Sequence, residues 1–220
     1  MTPLPDVVLT GPPVVGKGTV SKVLLSCSAR TVIDTGARVR QELADLGEPS
    51  PERNRQGEYA TEMIRKHGGG YFADRLLASE PGPHIVDGPR RQIEIEHLLR
   101  QGAVLVFMDA PLERRHAWSN ARGLPRDRLT LDEFQAKDKL EWGYVLDPDG
   151  GYRRHTDPYE RNLRYAHGHA HIVIHNSHDQ AALEAVVRTF VEELRAAQVG
   201  PGSHWAQKVY GRPSKPIMLA

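Results

Sequence analysis

An apolar, β-branched run, Val7, Val8, Leu9 and Thr10, breaks at Gly11-Pro12-Pro13 and restarts after Gly16 in a helix-compatible segment. This stretch constrains the chain more than any other, because it predicts a strand, a tight loop and a helix in immediate succession. Such a loop is suited to phosphate. Glycines at 11 and 16 let backbone N–H groups converge on an anion, the helix starting near Lys17 presents the positive end of its dipole, and the Lys17 ammonium reaches the outer phosphates. Gly11, Pro13, Val15, Gly16, Lys17, Gly18 and Thr19 are therefore the candidate lining of a nucleotide triphosphate cradle. The plain alternative is a glycine-rich turn that binds nothing.

A chain of 220 residues with 26% charged side chains and a net charge of +1 carries no global field that would favour nucleic acid or an anionic membrane. Neither is expected as a partner. One cysteine, Cys27, excludes an intrachain disulfide and suits a reducing compartment. It should pack as a small apolar residue at the end of the first helix. No run of about 18 apolar residues is present to span a bilayer, and Met1 to Asp6 lacks the basic and apolar parts of a signal peptide. The expected location is the cytoplasm.

Along the chain, further strands are expected at Thr31–Ile33, His84–Val86, Ala103–Met108 and His171–His175, with helices between them. Ser50-Pro51 predicts a helix start, with the helix running to Lys66. Thr130 with Glu133 predicts a capping box, and Ser177 with Gln180 another, ahead of a stripe of Leu183, Val187, Phe190 and Leu194. Residues 147–169 read as a long polar loop with one helical turn at most, and 200–220 as an extended tail whose Trp205 and Ile217 could dock on the body or on a second subunit. A homodimer is one open assembly. Five strands alternating with helices imply an α/β fold, a three-layer α/β/α arrangement around a five-stranded parallel sheet, in one domain over 1–199. In such sheets ligands bind beyond the carboxyl ends of the strands.

The informative residues stand there. Asp34-Thr35-Gly36 follows the second strand, with Arg38 and Arg40 one turn on. Asp87-Gly88-Pro89-Arg90-Arg91 follows the third, where a strand-end carboxylate suits Mg²⁺ held against the outer phosphates of ATP. Arg114, Arg115, Arg122, Arg126 and Arg128 cluster after the fourth. His167, His169 and His171 alternate but lack an acidic or cysteine partner at ligand spacing, so a loop entering a strand is the better reading than a metal site.

The variant G-x-P-x-x-G-K-G-T, met here as GPPVVGKGT, resembles the phosphate loop of adenylate kinase and other nucleoside monophosphate kinases, with Val14 where those kinases usually have glycine. VDGPRRQIEIEHL, which contains Asp87, Arg90, Glu94 and Glu96, is similar to small adenylate-kinase-like and dephospho-CoA-kinase-like proteins. The resemblance runs from about Val7 to Leu194 and leaves out 147–169 and the tail. It implies a P-loop NTPase fold of the monophosphate-kinase type, ATP and Mg²⁺ as donor and metal, and Thr19 and Asp87 as metal residues. It further implies acceptor-binding helices over about 36–80 and a lid over about 113–130. Thr35 and Gly36 would line the acceptor site, Arg40 and Arg90 or Arg91 would grip its phosphate, and Arg115 and Arg122 would close over the transfer. Asn176 would sit where the adenine ring meets backbone.

The favoured reaction is transfer of the γ-phosphate to a nucleoside or deoxynucleoside monophosphate. Asp34, standing where adenylate kinases have serine, keeps a hydroxyl acceptor open, such as dephospho-CoA or a modified nucleoside, with Asp34 as base. A nucleotide-binding regulatory module without transfer is the reading from another class.

Overall fold

The computed structural model describes residues 4–28, 30–124, 128–176, 180–196 and 208–210. Trp205, Ile217, Ser177 and Arg126, singled out in the sequence, lie outside them. Five parallel strands form the expected sheet: β1 (Val7–Thr10), β2 (Thr31–Asp34), β3 (His84–Asp87), β4 (Val104–Asp109) and, later in the chain, β7 (Ile172–His175). Their order is β2-β3-β1-β4-β7, with β1, the strand that leads into the Gly11–Gly16 loop, in the middle. A further strand, β8 (Lys208–Tyr210), joins in parallel at the β7 edge, Lys208 facing Ile172 in register. That piece of the tail was expected only to be extended; three residues among prolines and glycines give no periodic signal of their own.

Helices cover both faces. The face carrying Val7, Leu9, Val106 and Met108 packs on α1 (Lys17–Cys27) and α9 (Gln180–Ala196), whose Leu183, Val187, Phe190 and Leu194 form the expected stripe. The opposite face, with Val8, Val86, Leu105 and Phe107, packs on α4 (Ala73–Ser79), α5 (Gln92–Arg100) and α8 (Leu163–His169). Cys27 ends α1, half-buried against the first of these layers, with Arg188 donating to its thiol at 3.3 Å. A separate cluster of Val39, Leu43, Tyr59, Ile64 and Phe72 ties α2 (Thr35–Asp45) to α3 (Arg53–His67). At its centre the buried Glu42 accepts from Arg38, Tyr59 and Tyr71. Burial and this hydrogen bond push the Tyr59 phenol up to about 12.

Two expectations are corrected. α3 begins at Arg53 behind an extended Glu52, so Ser50-Pro51 belongs to the preceding loop. Residues 147–169 are more structured than a loop: β5 (Tyr144–Leu146) and β6 (Tyr152–Arg154) form an antiparallel hairpin, and α8 occupies the end of the segment. Asp147 closes the hairpin turn by accepting from Gly150 N–H and holding Arg153 at 2.7 Å, and the Lys139 ammonium lies 4.4 Å from the Tyr152 ring centre. His167 and His169 fall on α8, while His171 precedes β7 and accepts from the Leu105 N–H, so their alternation in sequence is not one strand face. Among the described residues no three His, Cys, Asp or Glu side chains are grouped to hold a metal, and no helix is long and apolar enough to cross a membrane. α6 (Leu112–Ala121) leads to the capping box, where Thr130 and Glu133 exchange hydrogen bonds at the start of α7 (Leu131–Glu141).

Candidate active site

The loop from Gly11 to Gly16 crosses the carboxyl end of the sheet and delivers the chain into α1 at Lys17. Lys17 curls back over it, its ammonium donating to Gly11 O at 3.1 Å and Pro12 O at 3.3 Å. This sets a cation at the mouth of the loop, beside the N-terminus of α1. Gly16 takes φ 97°, which glycine adopts at no steric cost. Val14 takes φ 62° although it is β-branched. The residue that departs from the monophosphate-kinase pattern thus holds the backbone that glycine would, at a cost of order 1–3 kcal/mol. Val15, within the loop, is buried in the core with Val20, Leu24 and Leu183.

Asp34 and Asp87 end neighbouring strands and stand opposite each other in the β2–β3 register. Asp87 Oδ1 is buried and has no hydrogen-bond partner among the described residues. Burial raises its pKa above the ordinary carboxyl value; the nearby Lys17 and Arg90 cations act the other way and Asp34 reinforces the rise. Gly88, at φ 114°, lets the chain leave β3 beneath Thr35, where an added Cβ would come within 2.7 Å of Thr35 Oγ1. Thr35 Oγ1 donates to Asp87 O at 3.1 Å, so its hydroxyl links the two strand ends.

Asp34 occupies the N-terminus of α2: Oδ1 accepts from Ala37 N–H at 2.8 Å, and Oδ2 faces Arg40 at 3.3 Å, both side chains about half exposed. The carboxylate therefore fills the helix-end position in which a phosphate would otherwise gain most.

The remaining arginines divide. Arg91 is buried and held by Glu94, Thr61 and the Gly57 carbonyl, clamping the β3–α5 turn to α3. Arg115, 3% exposed, makes a bidentate pair with Asp138 at 2.6 and 2.7 Å and donates to Ala110 O. Both serve the fold in this arrangement, because each planar fork is already matched to protein acceptors. Arg122 caps α6 and is exposed. Arg90 stays beside Asp87, with one nitrogen on the buried Glu141 at 2.7 Å; Arg161 reaches the other Glu141 oxygen at 3.0 Å. Burial alone would lower the Arg90 pKa, but the charge and hydrogen bond of Glu141, joined by the Asp87 and Glu94 carboxylates, raise it on balance.

Glu141, Arg161 and the Asp109–His175 pair, 3.2 Å apart at the ends of β4 and β7, were not singled out in the sequence. Glu141 is one acidic residue at the end of a charged helix, and nothing in its spacing marks it as a buried hub. The resemblance sets the backbone at Asn176 near an adenine; its side chain donates to Val15 O at 3.0 Å and stands against Gly16.

No protein-family model matches this sequence, and no curated protein matches it. Similar solved structures do exist. Shikimate kinase from Acinetobacter baumannii, solved with shikimate, shares the fold at a TM-score of 0.54 and 13% identity, over 90% of this chain and 97% of that one. Looser likenesses are a sugar kinase from Janibacter sp., at TM-score 0.48 and 15% identity over 90% and 99% of the two chains, and a gluconokinase from Sinorhizobium meliloti, at 0.45 and 12% over 88% and 97%.

Proposed function

We propose that this protein is an ATP-dependent phosphotransferase, and that its acceptor presents a hydroxyl. The observation that carries the acceptor choice is the placement of Asp34. A carboxylate already occupies the N-terminus of α2 and faces Arg40, where a monophosphate acceptor would need its own anionic group to sit, while Arg91 and Arg115 are spent on protein partners. A neutral hydroxyl meets no such conflict. It would attack the γ-phosphorus as the bond to the ADP oxygen breaks, and its proton would pass to Asp34 Oδ2, the oxygen not engaged in capping.

Lys17 and the loop N–H groups hold the donor phosphates. The orphaned Asp87 Oδ1 fits a hard divalent cation such as Mg²⁺, which Asp87 and Thr19 would hold. Bound there, the ion would neutralise charge on the outer phosphates. Arg90, next to Asp87, adds a cation that Glu141 keeps oriented.

A second reading, transfer to a nucleoside monophosphate, keeps support from the half-exposed Arg40 one turn beyond Gly36. ATP turnover against a panel of sugars, hydroxy acids, nucleosides, dephospho-CoA and nucleoside monophosphates separates the two. With the best hydroxyl acceptor, Asp34→Asn should lose at least about 100-fold in kcat, a general-base contribution, while Arg40→Ala should retain most activity. Turnover with monophosphates alone, lost in Arg40→Ala and kept in Asp34→Asn, would refute the hydroxyl reading. Phosphate release indifferent to every acceptor would point to a regulatory module.

A further inference from the structure

The phosphate loop holds a β-branched residue in a backbone region that such residues avoid, and this needs an explanation. A strained conformation persists only when its surroundings over-determine it. Two contacts do so here. Gly11 is backed by the Met108 carbonyl at the end of β4, which leaves no room for a side chain. On the far side of Val14, the buried Asn176 donates through Nδ2 to Val15 O. Asn176 is itself fixed, because its N–H donates to Asp109 O at 2.7 Å, continuing the β4–β7 ladder one step past the Asp109–His175 pair.

The direction of that hydrogen bond matters. In a trans peptide the N–H points opposite to the C=O. With the Val15 carbonyl drawn toward Asn176, the N–H of Gly16, in the same peptide plane, is turned to the opposite side. Gly16 packs directly against this amide, since an added Cβ there would lie 2.6 Å from Asn176 Nδ2. If the tether were cut, Val14 could relax to a negative φ, rotating the following peptide and carrying the Gly16 N–H away from the phosphate.

We propose that Asn176 is a positioning residue for donor phosphate: its side-chain amide locks the Val15–Gly16 peptide with the N–H facing the phosphate and holds Val14 in its strained state. The inference rests on the reading of this loop as a phosphate site. It assigns the Asn176 side chain a role separate from the backbone contact with adenine that the resemblance implies, and it makes the departure at Val14 tolerable only in company with Asn176.

The test uses the full chain and measures ADP affinity with Mg²⁺ by titration calorimetry, alongside thermal unfolding of the ligand-free protein. Asn176→Ala should weaken ADP binding at least about tenfold, the scale of one charge-assisted hydrogen bond lost. The double variant Val14→Gly with Asn176→Ala should recover most of that loss, because glycine occupies positive φ without a tether. A merely structural Asn176 would lose melting temperature without this rescue. Unchanged affinity in Asn176→Ala, or a loss that Val14→Gly leaves untouched, would overturn the proposal. Should Asn176→Ala not fold, Asn176→Ser, with a donor of shorter reach, should show a smaller loss with the same rescue; normal affinity there, or no rescue, counts against it. Wild-type protein that binds no ADP would instead refute the phosphate site itself.

Discussion

Replacing Asp87 by asparagine should make the ligand-free protein more stable while removing its response to Mg²⁺ and nucleotide. The carboxylate has a buried oxygen without a partner among the described residues, and leaving such an acceptor unsatisfied costs about 1–3 kcal/mol. Attraction from Lys17 and Arg90 offsets part of this, so a net gain of about 1 kcal/mol is expected for the neutral amide, or roughly 2–4 °C in melting temperature for a chain of this size. The sign of the pH dependence follows from linkage. The folded-state pKa lies above the ordinary aspartate value of 3.8, chiefly through burial. As pH rises, the unfolded chain therefore releases its proton first, and the penalty on the folded state grows from that value until the folded-state pKa is passed. The advantage of Asp87→Asn should be complete near neutrality and shrink as the pH falls toward the ordinary carboxyl range. Saturating ADP with Mg²⁺ should reverse the order, since ligand at 100 times Kd stabilises wild type by about 2.7 kcal/mol and the variant by much less. Thermal unfolding at about pH 7.5 and about pH 4.5, with and without ligand, reads all of this. A variant less stable than wild type at neutral pH, an advantage equal at both pH values, or an undiminished ligand response would each refute the reasoning.

Other perturbations test the surrounding framework. Glu141→Gln leaves Arg90 and Arg161 without their shared buried counter-charge and should lower the unfolding free energy by about 3–5 kcal/mol in urea titration; a loss under about 1 kcal/mol would mean that water compensates both cations. Arg115→Lys cannot reproduce the bidentate pair with Asp138 and should cost about 2 kcal/mol in the same assay, with little change in nucleotide affinity. Gly88→Ala should destabilise by about 1–3 kcal/mol, from its positive φ and the approach to Thr35; a neutral result would mean that the β3 exit can shift.

Much of the architecture was legible because its signals are local. The nearly uniform apolar run Ala103–Met108 reads as a strand covered on both faces, and the stripe on α9 and the box at Thr130 are periodic or capping patterns. The strand–loop–helix turn from Val7 to Lys17 and the carboxylates that end β2 and β3 were readable for the same reason. What could not be read was which arginine meets which carboxylate. Arg90, Arg91 and Arg115 look alike in the sequence, yet Glu141 lies 51 positions from Arg90 and Asp138 lies 23 from Arg115, and only the fold brings such partners together. The hairpin at 144–154 escaped because two three-residue strands are too short for a period-2 pattern to show. Val14 was visible as a departure, but its strained φ and the distant Asn176 that goes with it were not.

Titration of Mg²⁺·ATP into wild-type protein and into Lys17→Met by calorimetry bears most directly on the claim that the Gly11–Thr19 loop holds a polyphosphate. The account predicts saturable binding at one site in wild type and a loss of at least about tenfold, 1.4 kcal/mol, in the variant. Equal affinity in the two proteins, or no binding by wild type, would contradict it.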